Sequence, residues 1–514
     1  MAQAAGLVAA KTLAFVLALI LPLLLVRQLD VAGFGLYKQA FLVVGSAVTL
    51  LPMSFAMSAF YFWPRERRRR EALVLNVLLV HALTSGGACV VLVAWPQLLA
   101  AAFHGSELSA YGPALGLVVL LWGTSSCLEL VAIANGEARL AAGFVLAFQL
   151  GRVSLLAAAA VLSPTLAALI GAALVQGLLQ VGVAVHYLAS RFPRFWQRFD
   201  AGLLRAQLAF AVPHGLAAWL YSVHLELHGY VVAHRFDAAT YAIYAVGCFQ
   251  IPLVGILCES AGSVTIPRVS RLATEGRTRE IVALSAKLMR SLAAVFLPFY
   301  AFFLVMRHEI IEVLFTERYL SSAPVFAIHL TLVPLAVLAT PGDAVMRAYA
   351  DCRFFLLRLR SALALLTLAA LWSATERFGS VGAVSVVASV ALLDRCAVML
   401  KAGSRLGAGR RDLPLFGDPA KLGLASLAAG LVAATLREAL AAAPALPTLL
   451  ACGLGFGAVY LPLAAASGTP RREEVQGLVR RLESFVGRPR PDQPSHIPAR
   501  GRWSTPGPAT RGMR

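Results

Sequence analysis

The sequence predicts an all-helical polytopic membrane protein: about fourteen transmembrane helices, two parallel six-helix bundles around a central cleft, and two added C-terminal helices. Three observations carry this expectation. Apolar residues make up 59% of the chain against 14% charged, with a mean hydropathy of +0.75, too little polar surface for a soluble chain of 514 residues. Apolar runs of roughly 18–25 residues, enough to cross ~30 Å of hydrocarbon as a helix, recur from end to end. A short pattern returns without a gap, because Leu29–Tyr37 (LDVAGFGLY) matches Phe236–Tyr244 (FDAATYAIY) 207 positions later.

Taken in order, the expected spans are 6–26, 39–62, 72–94, 112–134, 141–162, 166–189, 209–232, 240–260, 291–306, 324–346, 356–373, 381–400, 420–437 and 446–466. The first run, Gly6–Val26, is too long for a signal peptide and has no small-residue cleavage site before Arg27, so it reads as a retained span. With the N-terminus inside, 35 of the 45 basic residues fall in cytoplasmic loops, the adjoining span ends and the tail, seven fall on the outer side, and Lys11, Arg152 and Arg395 are counted within spans. This bias alternates correctly through every loop and expects both termini in the cytoplasm. It also accounts for the net charge of +19 without nucleic acid as a partner. Trp63, Trp95 and Trp372 stand at span ends, where an interfacial aromatic belt places them. In the tail, Val475, Leu478, Val479, Leu482, Phe485 and Val486 have helical spacing among arginines and glutamates, which fits an amphipathic helix on an anionic leaflet. Beyond Gly487 the Pro, Arg, Gly and Ser content implies disorder.

The repeat extends beyond its first stretch. Pro64-Arg65 corresponds to Pro267-Arg268, Pro96–Phe103 to His308–Phe315, Ser126 and Glu129 to Thr340 and Asp343, and Glu137 and Arg139 to Asp351 and Arg353. A unit of six crossings returns the chain to its starting side, so the two copies run parallel about an axis along the membrane normal. The expected organisation is a bundle over 1–190, a second over 191–401, two further helices over 402–466, an amphipathic helix over 467–486 and a basic tail over 487–514. Two such bundles enclose a cleft whose rocking gives alternating access, which points to transport.

The pattern LDVAGFGLY after span one, the segment His308–Phe326 (HEIIEVLFTERYLSSAPVF) and the six-plus-six-plus-two arrangement resemble the multidrug/oligosaccharidyl-lipid/polysaccharide (MOP) exporter superfamily, and within it the bacterial O-antigen and exopolysaccharide flippases. The resemblance spans roughly residues 6–466. It implies a non-enzymatic inner-membrane flippase without cofactors, moving an undecaprenyl-pyrophosphate-linked oligosaccharide from the cytoplasmic to the outer leaflet for lipopolysaccharide or exopolysaccharide biosynthesis. Its implied partners are the lipid-linked oligosaccharide, membrane lipids, H+ or Na+, and polysaccharide assembly proteins. The alternatives are a cation-coupled multidrug antiporter of the same fold and a membrane scaffold for assembly enzymes. No P-loop, GxSxG, HExxH or paired-carboxylate motif in a soluble domain suggests enzymatic chemistry.

Ionisable residues inside spans are the candidates for binding and coupling. Arg152, near the middle of span five with Gln149 one turn earlier, either lines the cleft to meet phosphate or pairs with a carboxylate of a neighbouring helix. Lys11 is a second candidate cation, which snorkelling also explains. Span seven carries His214, Tyr221, His224 and His228 on one face and Glu226 on another, groups suited to sugar hydrogen bonding, proton coupling or interhelical bonds. His224 and His228 have metal-ligand spacing but no third ligand, so no metal is expected. Glu226, Glu129, Asp343 and Glu259 are candidates for coupling or gating, and Asp394-Arg395 suggests a salt bridge. The seven cysteines are scattered, without CxxC, as small core residues.

Overall fold

Hydrocarbon cannot satisfy a backbone N–H or C=O, so a chain this apolar must close its hydrogen bonds within helices. The computed structural model describes residues 2–104, 107–349 and 351–468, and no strand occurs among them. The amphipathic helix expected over 467–486, beyond its first two residues, and the tail expected over 487–514 lie outside the described residues. The first part of the chain forms α1 (Ala2–Gln28), α2 (Val31–Leu50), α3 (Ser58–Phe62), α4 (Arg70–Ala94), α5 (Gln97–Ala102), α6 (Gly112–Ser125), α7 (Leu128–Ala134), α8 (Ala138–Leu162) and α9 (Leu166–Arg191). The next part forms α10 (Ala201–Arg235), α11 (Ala238–Gly247), α12 (Pro252–Thr274), α13 (Thr278–Val305), α14 (Arg307–Phe315), α15 (Ala323–His329), α16 (Leu332–Ala348) and α17 (Cys352–Leu406). Then follow α18 (Asp418–Ala439) and α19 (Ala445–Ala466).

Eleven helices or helix pairs among the described residues are long and apolar enough to cross a membrane, where the sequence leads one to expect fourteen. The difference has local causes. The two spans expected at 356–373 and 381–400 lie within α17, which bends at Gly379 (φ 62°, ψ −148°), a backbone conformation that essentially requires glycine. The span expected at 209–232 falls on the 35-residue α10. The one expected at 240–260 is divided between α11 and α12 by a break at 248–251.

The repeated stretches, expected as connections, begin helices instead. Asp30 stands in extended backbone before α2 and its Oδ1 accepts from Gly33 N–H at 3.0 Å; Asp237 caps α11 identically, accepting from Thr240 N–H at 3.2 Å. Each satisfies a helix-end donor that has no partner within the helix. The second span therefore begins eight residues earlier than the apolar window suggested.

Packing repeats with the sequence. α1 lies against α8 as α10 lies against α17; α4 against α6 as α13 against α16; α2 against α6 as α12 against α16; and α6 against α9 as α16 against α17. The two copies meet where the caps are, α2 against α11, with Gly35 against the Ala238 carbonyl. This end is tied further by Arg27, whose Nη1 and Nη2 donate to the carbonyls of Leu314 (2.9 Å) and Val313 (2.8 Å), and by His104 N–H to the Ala233 carbonyl (3.1 Å). At the opposite end Arg69 pairs with Asp200 at 3.1 Å, and the buried Gln207 joins Asn76 and Ser58. α18 packs on α13 and α19 on α18, fastened by Arg290–Asp418 (3.1 Å), Arg437–Glu309 (2.5 Å) and the Tyr460 hydroxyl donating to the Ala294 carbonyl (2.7 Å).

Candidate functional site

Between the repeated units lies a cavity of about 660 Å³, walled by α1, α2, α8, α10, α11, α15, α16 and both arms of α17. Two glycines help shape it. Gly151 lets Gln176 of α9 press onto α8, where a Cβ would stand 2.8 Å from its Oε1, and Gln176 is fixed by donating to the Phe148 carbonyl at 2.9 Å. The neighbouring Arg152 faces the cavity. Gly35 lets α2 approach α11 closely and seals the cavity's capped end.

Arg152 lies over an aromatic shelf, its guanidinium carbon 4.6 Å from the Trp122 ring centre and 5.9 Å from that of Phe41. Trp122 is held in turn by its indole N–H, which donates to the Ala173 carbonyl at 3.0 Å. No carboxylate pairs with Arg152 among the described residues, its Nε is buried without a hydrogen-bond partner, and the Tyr37 hydroxyl is within its reach. Its planar charge is therefore oriented by stacking yet not neutralised. His329 also borders the cavity with a buried, unpartnered Nδ1.

The far wall is ionic but balanced. Asp343 of α16 lies 3.6 Å from Arg360 and 3.5 Å from Arg395, while Asp394 lies 3.9 Å from Arg360 and 3.4 Å from Arg395. All four separations exceed a good charge-assisted hydrogen bond, so the cluster is loose. Lys38 and Glu226 complete the charged lining, and the cavity carries Lys38, Arg152, Arg360 and Arg395 against Glu226 and Asp394. Glu226 also borders a smaller cavity of about 280 Å³ that includes Ser46 and Thr49. The Tyr244 hydroxyl and His228 Nδ1 lie 2.8 Å apart, in hydrogen-bond contact, and both residues line the cavity.

The structure thus brings together Arg152, Gln149, Glu226 and His228 from the sequence-derived set. Lys11 lies elsewhere, 2.6 Å from Glu129, and neither lines the cavity. Asp343 stands behind the cavity wall in the four-charge cluster, and Glu259 is an exposed residue of α12. The side chains of His214, Tyr221 and His224 lie outside the described residues. Lys38 and Arg360 were not anticipated as site residues. The sequence puts Lys38 in a loop just before the second span and counts Arg360, near the start of the span expected at 356–373, with the cytoplasmic basic residues. The structure places both in helices that line the cavity. The signal for Lys38 was Asp30, whose capping marks the start of a helix rather than a loop. Among the described residues no group of three His, Cys, Asp or Glu is placed to hold a metal ion. All seven cysteines are free thiols.

A charged cavity lies between two repeated helical units, and known proteins share features of this chain. Residues 7–324 match the family model for polysaccharide biosynthesis proteins. The chain belongs to the polysaccharide biosynthesis protein family. No protein of curated function matches it in sequence. In fold this family member is similar to the lipid II flippase MurJ in an inward closed conformation, with TM-score 0.67, 11% identity, and coverage of 92% of this chain and 99% of that one. It is also similar to an inward-facing multidrug resistance MATE family transporter of the MOP superfamily (TM-score 0.56, 12% identity, 78% and 94% covered). A third similar structure is a MOP superfamily transporter from Pyrococcus furiosus whose binding pocket is described as of reverse polarity (TM-score 0.53, 13% identity, 79% and 96% covered). The protein is a multi-pass membrane protein with the MOP exporter fold.

Proposed function

We propose that the protein is a flippase for a lipid-linked oligosaccharide, carrying a phosphate-bearing head from the cytoplasmic to the outer leaflet of a bacterial inner membrane by alternating access. The observation that carries this reading is the cavity's excess of cations, above all Arg152, oriented on Trp122 and free of any carboxylate partner among the described residues. A pyrophosphate linkage offers paired oxygen acceptors that a planar guanidinium can engage in a bidentate way, and Lys38 supplies a second charge. Gln149, Gln250, Thr367, His228 and His329 give the cavity the hydrogen-bonding groups that sugars need. The same excess of cations disfavours cationic drugs as cargo.

In this reading the capped end, sealed by α2 against α11, is the outer gate, and both chain termini are cytoplasmic. Glu226, at the junction of the two cavities, is the proposed site at which H+ or Na+ couples to transport. Lys11–Glu129 and the Asp343 cluster act as latches within their own units. No covalent step is required of any residue. Docking of polysaccharide assembly proteins belongs to the same proposal.

The test is flipping in proteoliposomes containing a lipid-linked oligosaccharide, read by the fraction that an added glycosidase reaches. Arg152→Gln should weaken substrate binding about 10- to 100-fold, the usual worth of a hydrogen-bonded charge. Unchanged flux in Arg152→Gln would reject the phosphate role.

A further inference from the structure

The segment joining the two units reads Arg191-Phe-Pro-Arg-Phe-Trp-Gln-Arg-Phe199, arginine and aromatic interleaved. Two of its rings are anchors: Phe192 is buried against Trp63, ring centres 5.8 Å apart, and Phe195 is buried beside it. The other two, Trp196 and Phe199, are each 57% exposed, and the exposed Arg194 and Arg198 flank them. Arg194 is held in left-handed backbone (φ 57°), so the segment follows a fixed path over the bundle end.

A second basic loop lies beside it. Arg69 donates to both Glu66 and Asp200, which ties the loop at 63–69 to the start of α10 and occupies both carboxylates. Arg67, Arg68, Arg194 and Arg198 are then exposed cations with no ion pair among the described residues. The corresponding loop of the second unit differs: Arg277 pairs with Glu275 and Glu280, and Arg271 with Glu275. Both copies thus carry arginines here, and in the second the ion pairs fall on Arg271 and Arg277.

We propose that this face is a binding surface for anionic phospholipid headgroups, with Arg67, Arg68, Arg194 and Arg198 meeting phosphate and Trp196 and Phe199 seated among the upper acyl chains. Four arginines need an anion, and exposed rings beside the ends of α4 and α9 stand at the depth where a bilayer changes from headgroup to hydrocarbon. An acidic soluble partner would match the charge but leave both rings against water. Bound lipid would sit on the one segment that connects the two units.

The full-length protein in nanodiscs of phosphatidylcholine with graded phosphatidylglycerol, followed by native mass spectrometry, counts the anionic lipids retained. Each arginine near a charged surface contributes about fivefold, so Arg67→Gln, Arg68→Gln, Arg194→Gln and Arg198→Gln combined should lower phosphatidylglycerol retention by at least about tenfold. Arg271→Gln with Arg277→Gln, at arginines already paired with Glu275 and Glu280, should leave it unchanged. Brominated phosphatidylglycerol should quench the Trp196 contribution, obtained by difference from Trp196→Phe, more strongly than brominated phosphatidylcholine. Equal retention in the quadruple variant, equal quenching by the two lipids, or loss of a co-purifying acidic protein with lipid retention intact would each overturn the assignment.

Discussion

Gly35 of the first repeated stretch and Ala238 of the second touch: a Cβ on Gly35 would overlap the Ala238 carbonyl. The duplicated stretches therefore meet across the pseudo-two-fold axis and close one end of the cavity. Gly35→Ala wedges that contact. Overpacking of this kind costs about 1–3 kcal/mol, borne only by the conformation in which α2 and α11 are together. Spin labels at Ala32 and Ala239 should show a longer distance population in Gly35→Ala, and a distribution identical to wild type would show that this contact does not open and close in transport.

Trp122 sets the orientation of Arg152. Cation–π contacts of this type contribute about 0.5–2 kcal/mol, so Trp122→Leu should weaken binding of a pyrophosphate-bearing lipid about 3- to 30-fold. Arg152→Lys keeps the charge but loses the stacked plane, and should fall between wild type and Arg152→Gln. Isothermal titration with the lipid in detergent reads both.

The four charges at Asp343, Arg360, Asp394 and Arg395 form one unit, and single changes should be worse than paired ones. Their side chains are 12–31% exposed, so the penalty of a broken buried pair is reduced. Asp394→Asn and Arg395→Gln should each lower thermal stability by about 1–3 kcal/mol, and the double variant by clearly less than the sum. Thermal unfolding of the three purified variants completes the cycle.

Asp200 predicts an acid limb. The Leu203 N–H first, and then Arg69, hold its carboxyl below the ordinary carboxylate range. A group depressed in the folded state contributes stability above its unfolded value near 4 and loses it as pH falls through the lower folded value. Asp200→Asn keeps the helix cap but removes the charge, so its melting temperature should fall less than that of wild type between pH 5 and pH 3. Asp200→Ala should be the less stable of the two at pH 7 because it loses the cap as well.

Much of this molecule was legible in its sequence, for identifiable reasons. The duplication at Leu29–Tyr37 and Phe236–Tyr244 survives because an N-cap aspartate and the small residues after it are needed at both places. Arg152 stood out because a single guanidinium in a long apolar run has few explanations. Lys38 was hidden by the same arithmetic that found the spans: a hydropathy window ends a helix at its first charge, while hydrogen bonding carries α2 back to Val31. Arg360 was hidden because it counts with the cytoplasmic charges at the start of its span. The ionic cluster was half visible in Asp394-Arg395. Its partner Asp343 comes from another helix, and only packing reveals that distance. Lys11 and Glu129 were each conspicuous alone, and their contact with one another was not.

The pair α18–α19 has its principal neighbours in α13 and α14, on one repeated unit. Bolted there by Arg290–Asp418 and Arg437–Glu309, it is a passenger on that unit. A fluorophore carried on α19 would swing with α13, and one on α9 with the opposite unit. Energy transfer between them would follow a single transport cycle without a label in the cavity.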